Sequence, residues 1–313
     1  MCVYRRIVVA TDFSESAELA LEWATRFAEP FGAQLHLVHA WQIPVLVGPA
    51  GAYLATPEVS GTLEHELGTE LARIATDRPV AGRHLINGTP ETAVKRVAEE
   101  TNADLIVVGT QGGSGLAHVV FGSVAERVLR TSSVAVTLVP KNYRLPDASA
   151  SLVRTVMTPV ELVPDDDHGE KAAGHALHLA RRFEARFELV HAVDLPAYVH
   201  NHVELAKETE GVLKAELSGL MQRIGASAPE AQAYLRVGKP GQVLLEHVKA
   251  QGVDLVVMRT HGHGAVERFF LGSMTETMIR KSGVPVLVLP AEQAPATEAV
   301  GANLIPDDVV ATG

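Results

Sequence analysis

One property constrains this chain more than any other: it repeats itself. The stretch from Asp104 to Ser123, DLIVVGTQGGSGLAHVVFGS, returns from Asp254 to Ser273 as DLVVMRTHGHGAVERFFLGS, 150 residues later and without a gap. Asp104 matches Asp254, Gly112 matches Gly262, and Gly122-Ser123 matches Gly272-Ser273. Upstream, Gly88-Thr89-Pro90 matches Gly238-Lys239-Pro240 at the same offset. A chain of 313 residues has room for about two domains. The repeat places them at 1–141 and 152–291, joined by a polar linker, Lys141 to Ser151, that contains Pro146. The remainder, 292–313, is rich in Ala, Pro, Glu and Asp and reads as an extended tail with no core to join. Hydrophobic residues make up 47% of the chain, enough for two full cores.

Within each copy, strands alternate with helices. Leu105 to Val108 is the apolar run of a central parallel strand buried on both faces. It breaks at Gly109, and Gly112, Gly113 and Gly115 follow before Gly122-Ser123. Val124, Val128 and Leu129 then share a helical face, with Glu126 placed to pair with Arg130 and Ser123 suited to cap the helix. A strand, a glycine-rich loop and a helix start are the parts of an anion cradle, because glycines let the backbone approach closely and helix N-terminal amides point at the anion. The spacing is neither the Walker pattern nor the dinucleotide fingerprint.

The rest of the first copy reads as a strand Tyr4 to Ala10, a helix capped by Ser14, a strand Leu35 to Ala40, a proline- and glycine-rich loop over 44–57, a helix over 58–76, a short strand near His84 to Ile86, a helix opened by Pro90, and a closing strand Val134 to Val139. The second copy repeats this order. The fold class expected is therefore α/β: two tandem doubly wound, mostly parallel five-stranded sheets, Rossmann-like. Ligands of such sheets sit beyond the carboxyl ends of the strands at the switch point.

The spacing Gly109, two residues, Gly112, nine residues, Gly122-Ser123 resembles the ATP-binding signature of the universal stress protein family, and both repeats take part in the resemblance. It implies an ATP-binding regulatory protein of the stress response, with the nucleotide in the first copy. Asp12 would help hold the adenosine, the backbone of Ala40 would contact adenine, Gly109 and Gly112 would line the phosphate turn, and Gly122, Ser123 and Val124 would donate to phosphates. The plainer reading of Asp12 is a helix-start residue stabilising the dipole. Between Gly109 and Ser123 there is no Lys or Arg, and Gln111 stands where family members often carry an arginine. Phosphate charge would then fall on backbone amides and Mg²⁺. No catalytic residue is assigned, and hydrolysis is expected to be slow or absent. Two alternatives stay open: an ATP-consuming enzyme, whether a slow ATPase or an adenylate-forming one, and a nucleotide-free interaction scaffold. The second copy departs from the pattern. Pro159-Val160 is set against Thr11-Asp12, leaving Glu161 or Asp165 to replace the carboxylate, and Arg259 occupies the first glycine's place. A degenerate, mainly structural site follows, although Arg259 could also salt-bridge an anion.

A net charge of −10 argues against nucleic acid as a main partner. Cys2 is the only cysteine, which fits a cytoplasmic address, and no apolar run approaches the length of a membrane helix. Fourteen histidines raise the question of metal, but His261/His263, His200/His202 and His175/His178 lack the paired spacings of a zinc motif, so no metal site is assigned. His39 and His191 occupy equivalent strand positions and read as structural. The partners expected are an adenine nucleotide and an unidentified protein, with no membrane. Family members resembling this chain dimerise through their fifth strands. Val134 to Val139 and Val284 to Leu289 are therefore expected to pair antiparallel within one chain as a pseudo-dimer, with a homodimer through other surfaces still open.

Overall fold

The computed structural model describes residues 4–42, 45–48, 51–54, 57–111, 122–162, 167–196, 202–226, 230–259 and 272–290. The first repeat runs β1 (Arg6–Ala10), α1 (Glu15–Ala28), β2 (Gln34–Trp41), β3 (Val45–Gly48), β4 (Gly51–Leu54), α2 (Pro57–Ile74), β5 (Val80–Asn87), α3 (Pro90–Thr101), β6 (Leu105–Gly109), α4 (Ser123–Thr131) and β7 (Ala135–Val139). The second runs β8 (Thr155–Val160), α5 (Asp167–Arg182), β9 (Arg186–Val193), α6 (Val203–Arg223), β10 (Ala231–Val237), α7 (Pro240–Gln251), β11 (Leu255–Arg259), α8 (Ser273–Lys281) and β12 (Val286–Leu289).

Among the described residues, ten strands form one sheet in the order β10-β9-β8-β11-β12-β7-β6-β1-β2-β5. Each half is parallel throughout, and each reverses its order beside its first strand, between β1 and β6 and between β8 and β11. The halves join where β12 meets β7 antiparallel, with Val286 opposite Leu138, Leu287 opposite Thr137 and Val288 opposite Val136. The expected pairing of the last strands is therefore present within one chain. Pro285 lies just before β12, where its missing N–H takes no ladder bond away, and its carbonyl accepts from Val256 at 3.1 Å.

The two cores divide by sheet face, not by repeat. One face buries Trp23, Phe27, Leu35, Leu105, Phe187, Leu189 and Leu287; the other buries Val38, Val94, Val128, Met157, Leu244 and Val288. Both cores run through the seam, because alternate residues of β7 and β12 point to opposite faces. The linker is docked as well. Arg26 donates to the carbonyls of Pro146 (2.5 Å), Asp147 (3.1 Å) and Ala150 (2.7 Å). Burial, with the charge of Asp254 behind it, pushes the Tyr143 phenol up to about 12.

Two sequence readings change. The segment 44–57 is not wholly a loop: within it β3 and β4 pair antiparallel, Val45 opposite Leu54 and Gly48 opposite Gly51. β5 begins at Val80, earlier than its apolar residues suggest, because an edge strand needs little apolar content. The repeated Asp104 and Asp254 are structural. Asp104 accepts from the amides of Arg5 (2.8 Å) and Arg6 (3.3 Å), and Asp254 from those of Arg154 (2.8 Å) and Thr155 (3.0 Å). Each carboxylate thus ties the start of the repeat's first strand to the strand beside it. The tail beyond 290 lies outside the described residues.

Candidate functional site

A cleft of about 320 Å³ opens at the carboxyl ends of β1, β2 and β6, at the first half's switch point. Asp12, Ala40, Gly109, Gly122, Ser123 and Val124 all line it, from four different elements and the turns beside them. The seventh expected residue, Gly112, lies outside the described residues, as do Gly113 and Gly115. Ala10, Val38, Val94 and Val108 give the cleft an apolar wall, and Pro90 closes one side.

The turn after β1 is built by short side chains bonding to their own backbone. Thr11 Oγ1 accepts the Phe13 N–H at 3.1 Å. Asp12 Oδ1 accepts both the N–H (3.1 Å) and the hydroxyl (2.5 Å) of Ser14, and Ser14 Oγ in turn caps α1 by accepting from Ala17 at 3.3 Å. The helix-start role of Asp12 is real, and the residue also lines the cleft. Phe13 adopts φ +63°, a left-handed conformation that a bulky residue rarely takes, and its ring lies 4.2 Å from that of His39. His39 Nδ1 donates to the Thr11 carbonyl at 2.8 Å. Burial draws His39 below the ordinary histidine range, so it is a neutral post under the turn. Neither Phe13 nor this use of His39 was legible as part of the site; the repeat-equivalent histidines were the one available signal.

At the far side, α4 begins one residue earlier in its capping than the sequence implied. Gly122, not Ser123, is the N-cap; Ser123 is the first helical residue. A glycine cap carries no side-chain oxygen to accept the first-turn N–H groups, so these remain for a ligand. Gly122 itself has φ −68° and ψ 145°, which any residue can adopt, and its N–H reaches the Thr110 carbonyl at 2.6 Å. Gly109 has a different reason to be glycine. A Cβ there would stand 2.6 Å from Ser16 Oγ and 2.8 Å from the Ser16 carbonyl oxygen, so α1 can pass β6 only because the side chain is missing. No Lys or Arg lines the cleft among the described residues.

The second half corrects the alignment of the two repeats by one residue. Ala10 lies opposite Val38 in β2, while Pro159 lies opposite Val190 in β9. The His39 bond to Thr11 is repeated by His191, whose Nδ1 donates to the Val160 carbonyl at 2.9 Å. Thr11 therefore matches Val160, and Glu161 stands at the place of Asp12. The reading of His39 and His191 as satisfied strand histidines holds. Arg259, at the place of Gly109, turns its guanidinium back to the Pro290 carbonyl (Nη2, 3.3 Å), and its Nε is buried without a partner among the described residues. His261, His263, His200 and Gly262 lie outside the described residues.

The chain matches the family model described as the universal stress protein family twice, over residues 3–140 and 153–290. It belongs to the universal stress protein family. A universal stress protein of Mycolicibacterium smegmatis is 26% identical over 295 residues, covering 90% of this chain and 96% of that protein. One of Mycobacterium tuberculosis is 25% identical over 301 residues, with the same shares. These relatives match along nearly their whole length, so the tandem arrangement is common to them and to this chain. Among solved structures, a universal stress protein from Archaeoglobus fulgidus superposes with a TM-score of 0.65 at 20% identity, over 91% of this chain and 98% of that one, which shows the shared fold. Among the described residues, no helix of this universal stress protein is long and apolar enough to cross a membrane.

Proposed function

We propose that this tandem universal stress protein holds ATP in the first-half cleft and acts as a nucleotide-stabilised regulator in the cytoplasm. The observation that carries the reading is the convergence of Asp12, Ala40, Gly109, Gly122, Ser123 and Val124 on one cleft at the switch point, from positions more than a hundred residues apart in sequence. The two ends of the cleft suit the two ends of a nucleotide. The apolar wall of Ala10, Val38, Val94 and Val108 takes a base, and the uncapped first turn of α4 takes phosphate oxygens. Asp12, at the end of β1, lines the same cleft and would help hold the adenosine. Bound Mg²⁺ would neutralise phosphate charge while keeping most of its own water. This chain's own residues orient the nucleotide and shield its base. With no cation in the described lining, they have little with which to stabilise a phosphoryl-transfer transition state, so the protein is a holder of ATP and at most a weak ATPase.

The test is mass spectrometry of small molecules released when the purified protein is denatured, followed by calorimetry with ATP·Mg²⁺. The expected result is one adenine nucleotide per chain. A protein that releases none and takes up none is a nucleotide-free scaffold, and the reading fails.

A further inference from the structure

A groove of about 350 Å³ runs between α3 and α4 in the first half. Val94, Ala98, Ala103, Ile106, Val128 and Val134 form its apolar wall. Of these only Val94 also lines the nucleotide cleft. The two acids at the rim already have cations: Glu91 meets Arg127 at 3.1 Å, and Glu99 meets Lys95 at 3.8 Å.

The same place in the second half is built from larger side chains. Leu244 stands for Val94, Val248 for Ala98, Val253 for Ala103 and Met278 for Val128, all of them buried; only Val256, for Ile106, is smaller. Leu245, packed against the core, replaces Lys95, whose side chain is 61% exposed. The second half supplies apolar bulk here from its own helices, and the first half does not.

The chain leaves the sheet beside this groove. In the seam, Val286 lies opposite Leu138 and Val288 opposite Val136. Two further residues in that register bring Pro290 opposite Val134, in the groove's wall. Alternation puts position 290 on the face of Val286 and Val288, which is the groove's face. Residues 291–313 follow, with four acids and no Lys or Arg, and among them stands the aliphatic pair Leu304-Ile305 ahead of Pro306-Asp307-Asp308. Leu304 is fourteen residues past Pro290, a reach of up to ~46 Å for extended chain, whereas the twelve residues of α3 span about 18 Å. A tether of that length holds its anchor at roughly millimolar effective concentration, so docking needs little intrinsic affinity.

We propose that the chain's own C-terminal segment docks in the α3–α4 groove, with Leu304 and Ile305 on the apolar wall and Asp307-Asp308 at Lys95. The segment supplies in the first half the bulk that the second half draws from its helices. Lys95 and Glu99 are both more than half exposed, so exchanging that ion pair for one with the segment costs little.

The test is methyl NMR on the full chain without nucleotide, so that its outcome is independent of the ATP reading. Methyl–methyl NOEs are expected from Leu304 and Ile305 to Val94, Val128 or Val134. Leu304→Asp/Ile305→Asp changes no residue of the sheet or of its helices; it should abolish these NOEs and shift the Ile106 and Val128 methyl signals. Ala98→Val gives the groove the residue that the second half carries, and should displace the segment in the same way, with a melting curve to report folding. If that variant does not fold, the wild-type NOEs and the aspartate variant decide. NOEs that appear only between differently labelled chains would make a second copy the occupant and overturn the proposal. Absent NOEs, or groove signals that the aspartate variant leaves in place, would overturn it as well.

Discussion

Acid should loosen the contact between the two halves through one histidine. His175 on α5 receives the Tyr4 hydroxyl from the other repeat, Tyr4 Oη to His175 Nε2, at 2.7 Å. Around it, Tyr4 packs on Phe27 and Phe31, and Phe183 of the second half meets the same two rings at 5.2 and 5.8 Å. Burial, with a smaller push from His178, brings His175 from 6.5 to about 4. The folded pKa is depressed, so above pH 6.5 the ring is neutral in both states and contributes no pH dependence. Between 6.5 and 4 the unfolded chain binds a proton that the folded chain refuses, and stability falls with pH at about 1.4 kcal/mol per unit. Below 4 the loss is complete, at about 3 kcal/mol, because the largely buried ring is little shielded by solvent. The assay is urea unfolding at pH 7.5 and 4.5 for the wild type and His175→Gln, whose amide oxygen can still accept from Tyr4. Carboxylates titrate alike in both proteins, so the wild type should lose about 2–3 kcal/mol more than the variant. Equal losses would refute the assignment of the acid sensitivity to this ring.

The seam itself can be tested by charge. Val136→Asp or Leu287→Asp places a carboxylate among fully buried strands, and separate unfolding transitions for the two halves are expected by calorimetry; one cooperative transition would move the seam's stability elsewhere. Gly109→Ala should cost about 1–3 kcal/mol in chemical denaturation, since the added methyl overlaps the Ser16 backbone. Gly122→Val should leave the melting temperature nearly unchanged, because the backbone there is ordinary, while removing ATP binding in calorimetry by crowding the α4 amides. ATP turnover should stay far below the ~10 s⁻¹ median of enzymes, and a faster Mg²⁺-dependent rate lost in Gly122→Val would make the protein an enzyme.

The sequence by itself determined the repeat, the alternation of strands and helices, and hence two parallel sheets with their ligand side at the carboxyl ends. These are local properties: runs such as Leu105 to Val108 and caps such as Ser14 and Pro90 act within a few residues of themselves. Even the pairing of β7 with β12 was legible, because two apolar last strands must be covered and the linker lets one chain cover both. What only the tertiary structure decided depends on elements far apart in sequence. Gly109 is glycine because Ser16 crosses it, and Asp104 and Asp254 hold backbone amides about a hundred residues away. Glu161 took the place of Asp12 only when the register of β8 against β9 was fixed, since a one-residue shift is invisible to a pattern of glycines but decisive for hydrogen bonds. The contact between His36 and His84 needs two strands side by side. A sequence carries the list of side chains, and the register of one strand on the next chooses which of them meet.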